Sequence, residues 1–395
     1  MTGTAPEPAS SVIDESRLED PALWGAEPGN TGWARSADAM LRQLAASGAH
    51  LRESATLAAE AGLHELSADG RPRAVVIAGV GTAARTGEIL SAVTGPRCPV
   101  PVLSHRSAGV PGWVGAADVV IAVSGSGKSP EALAAAEAAV HRGARLVAVS
   151  APDSPLHGMA ERARGAIFVP VPLRRPARTN LWGLVAPVLL AGRALGLVNL
   201  TEADIAETAA RLDADAERCR ADGDALTNEG KALALELAGS IPLVWGTTRL
   251  AGVAAGRFAD QLAANARYPA MTGALIEASR GRVGVLDGLF GALAPGVDFF
   301  ADRVEDKQGT QLRLVLLRES GASAENIRRA DAVAELASER NVGVSTVTAE
   351  GVSELERVAS LIMIPDFASV YLAALHGIDP IAVPAVGDLK NRIMQ

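Results

Sequence analysis

Residues 119–131 read Val-Val-Ile-Ala-Val-Ser-Gly-Ser-Gly-Lys-Ser-Pro-Glu. The run Val119–Ser124 is continuously apolar until its last residue, the mark of a parallel strand buried on both faces. Ser129-Pro130-Glu131 reads as a helix start. Serine suits the N-cap, proline suits the first helical position, and the carboxylate complements the positive end of the helix dipole. Capping does not account for Ser124 and Ser126. Two hydroxyls on a loop flexed by Gly125 and Gly127, beside a helix N-terminus, have the makings of a phosphate cradle. A hydrogen bond to a charged group contributes about 1.5–3 kcal/mol. Three or four of them, less the cost of ordering, hold a phosphate monoester at ordinary metabolite affinity.

The strand pattern recurs on both sides. Apolar runs at Ala74–Ala78, Val100–Ser104, Arg145–Ser150 and Ala166–Val171 leave room for a helix in each interval. Five such strands with crossover helices predict an α/β fold with a doubly wound parallel sheet. Upstream, Trp33, Met40, Leu41, Leu44, Leu51, Leu57 and Leu63 are spaced for one buried helical stripe over 33–66. Residues 1–32 form a Pro-, Ser- and Glu-rich lead-in, with a short helix near Val12–Leu18. Leu181–Val198 is a buried helix that closes a first domain over 33–200. Thr201 and Asp204 stand at capping-box spacing and open a charged helix, Ala203–Leu226, within a linking segment over 201–234. Strand runs at Ile241–Trp245, Leu312–Leu317 and Gly343–Val347 follow. Helical stretches at Leu250–Ala266, Ser323–Glu339 and Ser353–Ile362 complete a second α/β half over 235–395. The architecture is duplicated, and no residue-level repeat is visible.

The loop after the first strand, Gly79-Val80-Gly81-Thr82-Ala83-Ala84, admits more than one reading. Gly79, Gly81 and Ala84 match a dinucleotide fingerprint, which also wants an acidic residue at the end of the second strand. That strand ends Ser104-His105-Arg106 instead. A tight turn without a ligand, and a glycine loop offering its amides and Thr82 to an anion, are the other readings. The run Gly125-Ser126-Gly127-Lys128-Ser129 is not a nucleoside-triphosphate loop, because that motif needs glycine at 122 and Ala122 stands there. Lys128 either neutralises phosphate or is simply exposed at the loop apex. His105 and Arg106 either line the site or are ordinary loop residues.

Composition excludes other classes. Lys and Arg number 37 against 45 Asp and Glu, giving a net charge of −8, and aromatic residues make up 3%. Nucleic-acid and anionic-membrane partners lean on clustered cations, and base-stacking platforms need aromatics. The longest apolar stretch, Leu181–Gly192, is too short to span a bilayer. Two cysteines make neither a disulfide framework nor a thiolate metal site. His50, His64, His141 and His157 are not at metal-ligand spacing, so no metal and no other cofactor is expected. The opening residues lack a basic and an apolar signal region, so the expected location is cytoplasmic.

With these residues in place, the chain resembles the sugar isomerase (SIS) domain superfamily. More closely, it is similar to the bifunctional phosphoglucose/phosphomannose isomerase family over nearly all of 74–392. Ser124, Ser126, Gly127, Ser129 and Glu131 fit that family's Ser-x-Ser-Gly-Asn-Thr-x-Glu loop, with Lys128 in place of Asn. Gly79, Gly81, Gly87 and Glu88 fit its first loop, where Thr82-Ala83 replaces Gly-Ser. Pro176-Ala177-Arg178 resembles its Pro-Arg segment. The tail from Asp366 to Arg392 matches its closing pattern and places Lys390 on the family's active-site lysine. His376, beside Gly377, is read as an interface or surface histidine. The resemblance implies a phosphorylated hexose as ligand, a homodimer, and aldose–ketose isomerisation with fructose 6-phosphate. It also implies a substrate-binding set of Gly79, Gly81, Thr82, Ser124, Ser126, Ser129 and Arg178.

The departures lie in the chemistry. In the family a glutamate moves the proton, and a histidine sixteen residues later is assigned to ring opening. Aligned on Asn265-Ala266 and Pro269-Ala270, those positions hold Ala264 and Arg280. Glu277 falls on another family carboxylate. Acid/base groups contribute about 10²–10⁴-fold each. Alanine supplies none, and arginine stays protonated, so it stabilises charge without shuttling a proton. The catalytic set carried over is therefore Glu277, Arg280 and Lys390, with impaired or altered turnover expected. A non-catalytic sugar-phosphate sensor or regulatory partner is the alternative, and nicotinamide binding to the first loop a third reading.

Overall fold

The computed structural model describes residues 13–20, 23–24, 32–294 and 310–393. Most of the lead-in over 1–32 lies outside the described residues; inside them it holds the short helix Ser16–Glu19. The chain sorts into two compact units, named here for their place along the sequence. The inner unit is Ala45–Ala214 with Gly351–Ala359, and the outer unit is Met1–Leu44 with Asp215–Glu350 and Ser360–Gln395.

The inner unit is built on five parallel strands, β1 Val75–Ala78, β2 Val102–His105, β3 Val119–Ser124, β4 Arg145–Ser150 and β5 Ile167–Pro170. Their order is β2-β1-β3-β4-β5. β1 and β3 are buried along their whole length, which is why they read as unbroken apolar runs. Val76, Ala78, Val120, Ala122 and Ala148 pack against Ala135, Ala136 and Ala139 of the helix Pro130–His141. Each fully buried valine contributes about 1.5–3 kcal/mol, and the alanines let helix and sheet approach closely. The expected single helical stripe over 33–66 is two helices, Trp33–Ala45 and Ser47–Glu60. Gly48, in the second, has no room for a side chain, since a Cβ would meet Ala209 O at 2.5 Å. The capping box is formed as expected: Thr201 N donates to Asp204 Oδ2 at 2.7 Å, and Asp204 N to Thr201 Oγ1 at 3.1 Å.

His50, on Ser47–Glu60, is 4% exposed. Burial, with the Arg174 guanidinium as a second cause, pushes its pKa down from 6.5 to about 4. A histidine whose folded value is depressed stays neutral in the native state, so its contribution is intact above the unfolded value and lost as pH falls through the gap. Acidification from 6.5 to 4 should therefore cost up to about 3 kcal/mol at this residue. We expect the chemical-denaturation midpoint to fall over that window and to fall less in His50→Gln. Equal acid sensitivity in the two proteins would remove this residue from the account.

The outer unit carries β6 Ser240–Gly246, β7 Met271–Ala274, β8 Gln311–Arg318 and β9 Gly343–Thr348, all parallel, in the order β7-β6-β8-β9. That order repeats β2-β1-β3-β4. The topology also reveals an echo that the bare sequence hides. The loop leaving β3, Ser-Gly-Ser-Gly-Lys-Ser-Pro-Glu (124–131), and the loop leaving β8, Arg-Glu-Ser-Gly-Ala-Ser-Ala-Glu (318–325), agree at four of eight positions. Ser323 is the N-cap of Ala324–Glu339, as Ser129 is of Pro130–His141. β7 was not expected.

The helix expected at Ser353–Ile362 runs on through Pro365 to Leu375. At 22 residues it is long and apolar enough to cross a membrane, and its apolar 18-residue stretch is buried in the fold, with Glu354 exposed at its start. Part of it lies in the outer unit, where its end receives the start of the chain. Asp14 N donates to Leu375 O at 3.1 Å, Arg17 reaches Leu375 O at 3.3 Å, and the buried Lys231 ammonium donates to Leu18 O at 2.6 Å. Trp24 meets the Tyr371 ring edge-on at 5.6 Å.

Candidate functional site

In an open α/β sheet the ligand crevice lies at the carboxyl ends of the strands, where the strand order reverses. In the inner unit that point falls between β1 and β3. Both glycine loops lie there, and they touch. A Cβ on Gly79 would meet Val123 O at 2.8 Å, one residue before Ser124. Gly81 takes φ +57 as the N-cap of the helix Thr82–Val93, with no side chain capping the first turn. Thr82 begins that helix and is half-buried.

The serine loop is tightly specified. Ser124 ends β3 and is buried; Ser126 and Lys128 are exposed. Gly127 N closes the turn onto Ser124 O at 2.9 Å, and Ser129 N approaches Ser124 Oγ at 3.4 Å. Gly127 sits at φ +65, where an added Cβ would meet Ser154 Oγ at 2.0 Å and Ser154 Cβ at 2.4 Å. Leu156 N donates to Gly127 O at 3.1 Å, and Ala151 N to Gly125 O at 3.2 Å. Ser150 and Ser154 share a hydrogen bond at 3.0 Å behind the loop. Ser129 occupies the N-cap position but caps no amide. Its hydroxyl donates to Glu131 Oε2 at 2.6 Å and holds the Glu131 carboxyl below its ordinary pKa. The Glu131 carboxylate, which also takes its own backbone amide, would share the first turn with an outside anion. Ser129 offers its hydroxyl there only by giving up Glu131.

Arg178 lies in the short turn Ala177–Thr179 after β5, half-buried. That turn leads into the helix Leu181–Ala194, whose Leu184 lies 3.9 Å from where a Gly125 Cβ would be. The helix that follows the implied substrate segment thus packs beside the serine loop. On β2, the His105 carbonyl accepts from Gly79 N at 3.1 Å, while Arg106 and Arg85 both pair with Glu88. Arg106 thus has an ion-pair partner beside the first loop. Sequence reasoning missed Ser150 and Ser154. A signal existed: β3 and β4 both end Ala-Val-Ser, and Ser124 and Ser150 are register partners.

The outer unit explains the tail pattern in structural terms. Arg257 and Asp366 form a buried pair, Nη2 to Oδ2 at 2.9 Å and Nε to Oδ1 at 3.1 Å. Asn265 donates to Ser369 Oγ at 2.8 Å, and the Tyr371 hydroxyl donates to Cys219 O at 2.6 Å. Ala264 lies in a π-helical turn, Leu262–Ala266, that ends at Arg267 with φ +55. Such turns are frequent at functional sites, yet here the turn presents a methyl group. Glu277 and Arg280 are exposed, with Arg280 N taking the Glu277 carbonyl at 3.1 Å. Lys390 is exposed on Pro384–Ile393, a helix with no buried residue. Among the described residues no hydrogen bond or ion pair joins the side chains of Glu277, Arg280 and Lys390. His376 lies beside Tyr268, ring centroids 5.9 Å apart. The C-terminal counterpart of the cradle differs in kind: Glu319 stands where Gly125 does, is 9% exposed, and accepts from the Thr248 hydroxyl at 2.5 Å.

Two parallel sheets of one strand order, with a hydroxyl-rich loop at the first sheet's switch point, define a SIS-type α/β protein. Solved structures agree on the fold: a hypothetical protein from Thermus thermophilus (TM-score 0.65, 16% identity, 96% of this chain and 93% of that one) and tagatose-6-phosphate ketose/aldose isomerase from Escherichia coli (TM-score 0.61, 15% identity, 91% and 98%). Residues 226–393 match the bacterial phospho-glucose isomerase C-terminal SIS domain. A bifunctional phosphoglucose/phosphomannose isomerase from Caldicellulosiruptor bescii is 28% identical over 323 residues, covering 81% of this chain and 89% of the relative. The chain thus carries a bacterial phospho-glucose isomerase C-terminal SIS domain over 226–393 and is a distant relative, at 28% identity, of that bifunctional isomerase.

Proposed function

We propose that the chain binds phosphorylated hexoses in the inner-unit cradle, and that its aldose–ketose isomerase chemistry is impaired or altered. The observation that carries the binding half is the serine loop, a rigid, glycine-shaped turn with an uncapped helix start. Ser124, Ser126, Gly79, Gly81 and Thr82 offer hydroxyls and amides to the phosphate, with Ser129 and Arg178 beside them. The catalytic half rests on residue chemistry. Moving a proton between adjacent carbons needs a base. Ala264 is not one, and Arg280 remains protonated, which leaves Glu277 as the carboxylate to test. A homodimer and a cytoplasmic location belong to the same proposal. The sensor reading is favoured by one observation, that the binding loop fits the family pattern while both acid/base positions do not.

The test is thermal stabilisation by glucose, mannose and fructose 6-phosphates, since a ligand of the native state raises apparent stability by mass action. It is paired with coupled turnover of fructose 6-phosphate. We expect stabilisation of the wild type, its loss in Ser124→Ala/Ser126→Ala, and turnover restored only in Ala264→Glu/Arg280→His. Brisk wild-type turnover would defeat the impairment claim. Absence of any sugar-phosphate stabilisation would defeat the binding claim.

A further inference from the structure

We infer that the amino-terminal edge of the first sheet carries a second anion site, separate from the cradle, for a small molecule that joins one phosphate or carboxylate to an apolar body. A groove of about 700 Å³ opens there, lined by Arg71, Arg73 and Arg145, with Asp69 at its side and Pro72 and Pro99 among its walls. That volume is the size of an ordinary small-molecule pocket. The guanidiniums differ in what they have left to give. Arg73 is committed: it donates to Asp118 Oδ1 at 3.0 Å and Oδ2 at 2.5 Å, and to Trp113 O at 2.5 Å. Arg145 donates through Nη1 to Leu66 O at 3.0 Å and Gly70 O at 3.4 Å, which fixes the 66–70 segment as one wall. Its Nε and Nη2 have no partner among the described residues. Arg71 is exposed and has no carboxylate or carbonyl partner among them.

Helices Thr82–Val93 and Pro130–His141 run antiparallel to the strands, so their negative ends face this edge. A bare anion gains little there. An occupant needs the forked donors of Arg71 and Arg145 together with apolar contact on the proline walls, which selects a compact anionic molecule with an apolar body. The geometry also ties the groove to the cradle. Arg73, Ala117 and Arg145 lead into or begin β1, β3 and β4, and those strands end at the cradle loops or directly behind them. β4 alone spans roughly 17 Å from one edge to the other.

The test uses isothermal titration calorimetry on the Ser124→Ala/Ser126→Ala protein, which silences the cradle. The probes are phenyl phosphate, benzoate and inorganic phosphate. Saturable binding of phenyl phosphate or benzoate, weakened at least 10-fold by Arg71→Glu with an unchanged melting temperature, supports the site. Arg71 is exposed and unpartnered, so its replacement leaves the fold alone. Overturning results would be no saturable heat from either aromatic probe, affinity within 2-fold in Arg71→Glu, or inorganic phosphate binding as tightly as phenyl phosphate. A chain without a working cradle would still give the first result, so failure here and failure of the proposed function are separable.

Discussion

Gly127→Ala is expected to weaken hexose-phosphate binding by at least about 100-fold. Two costs combine. The native φ of +65 belongs to the left-handed region, where an L-residue costs roughly 1–2 kcal/mol. The new Cβ would also lie 2.0 Å from Ser154 Oγ and 2.4 Å from Ser154 Cβ. Ser154 cannot swing away cheaply, because it caps Pro155–Arg162 and is bonded to Ser150. The loop must move instead, taking Ser124 and Ser126 out of register. Two charge-assisted hydrogen bonds at about 1.5–3 kcal/mol each are then at stake, which exceeds a hundredfold in affinity. Adding Ser154→Gly removes the clash but not the strain, so the double variant should recover part of the binding. Titration with glucose 6-phosphate measures both. Affinity within 3-fold of wild type in Gly127→Ala would show that the loop's shape is not what holds the ligand.

Arg257→Met should destabilise the protein by about 3–5 kcal/mol, the usual cost of stranding one member of a buried pair. Both side chains are nearly inaccessible, at 2% and 4% exposure. The methionine leaves the Asp366 carboxylate in an apolar helix without its counter-charge. Asp366→Leu should be similarly harmful, and the double variant less harmful than either alone, because an apolar pair needs no compensation. Urea unfolding with a shared slope gives the three values. Additive losses would mean that the two residues act independently, contrary to their bidentate contact.

The strands were legible because β1, β3 and β4 are buried on both faces, so their apolar runs are unbroken. β7, Met-Thr-Gly-Ala, was not legible. It is a short edge strand with little to bury, and only pairing with β6 reveals it. The helix Glu354–Leu375 was cut short for a related reason. Pro365, Asp366 and Ser369 look like helix breakers in a local window, and what tolerates them lies far along the chain: Arg257 is 109 residues from Asp366, and Asn265 is 104 from Ser369. The cradle could be read from sequence because glycine, serine and a helix start sit in eight consecutive residues. Its buttress, Ser150 with Ser154, arrives from the neighbouring strand, and its one trace in the sequence is the Ala-Val-Ser ending that β4 shares with β3. The echo of that loop at 318–325 became visible only once both loops were seen to leave equivalent strands.

The outer unit contains both the start of the chain and its far end, with the inner unit inserted between them. During synthesis, residues 45–214 leave the ribosome as a nearly complete sheet with its helices and can condense at once. Asp14, Arg17 and Leu18 precede those residues, whereas their partners follow them: Lys231 for Leu18, and, much later, Ala374 and Leu375 for Asp14 and Arg17. Asp14 and Arg17 therefore meet the carbonyls of residues 374 and 375 only after the whole inner unit has been made. A chain stalled between residues 360 and 373 would carry all of the inner unit while Asp14 and Arg17 still lacked the carbonyls of Ala374 and Leu375.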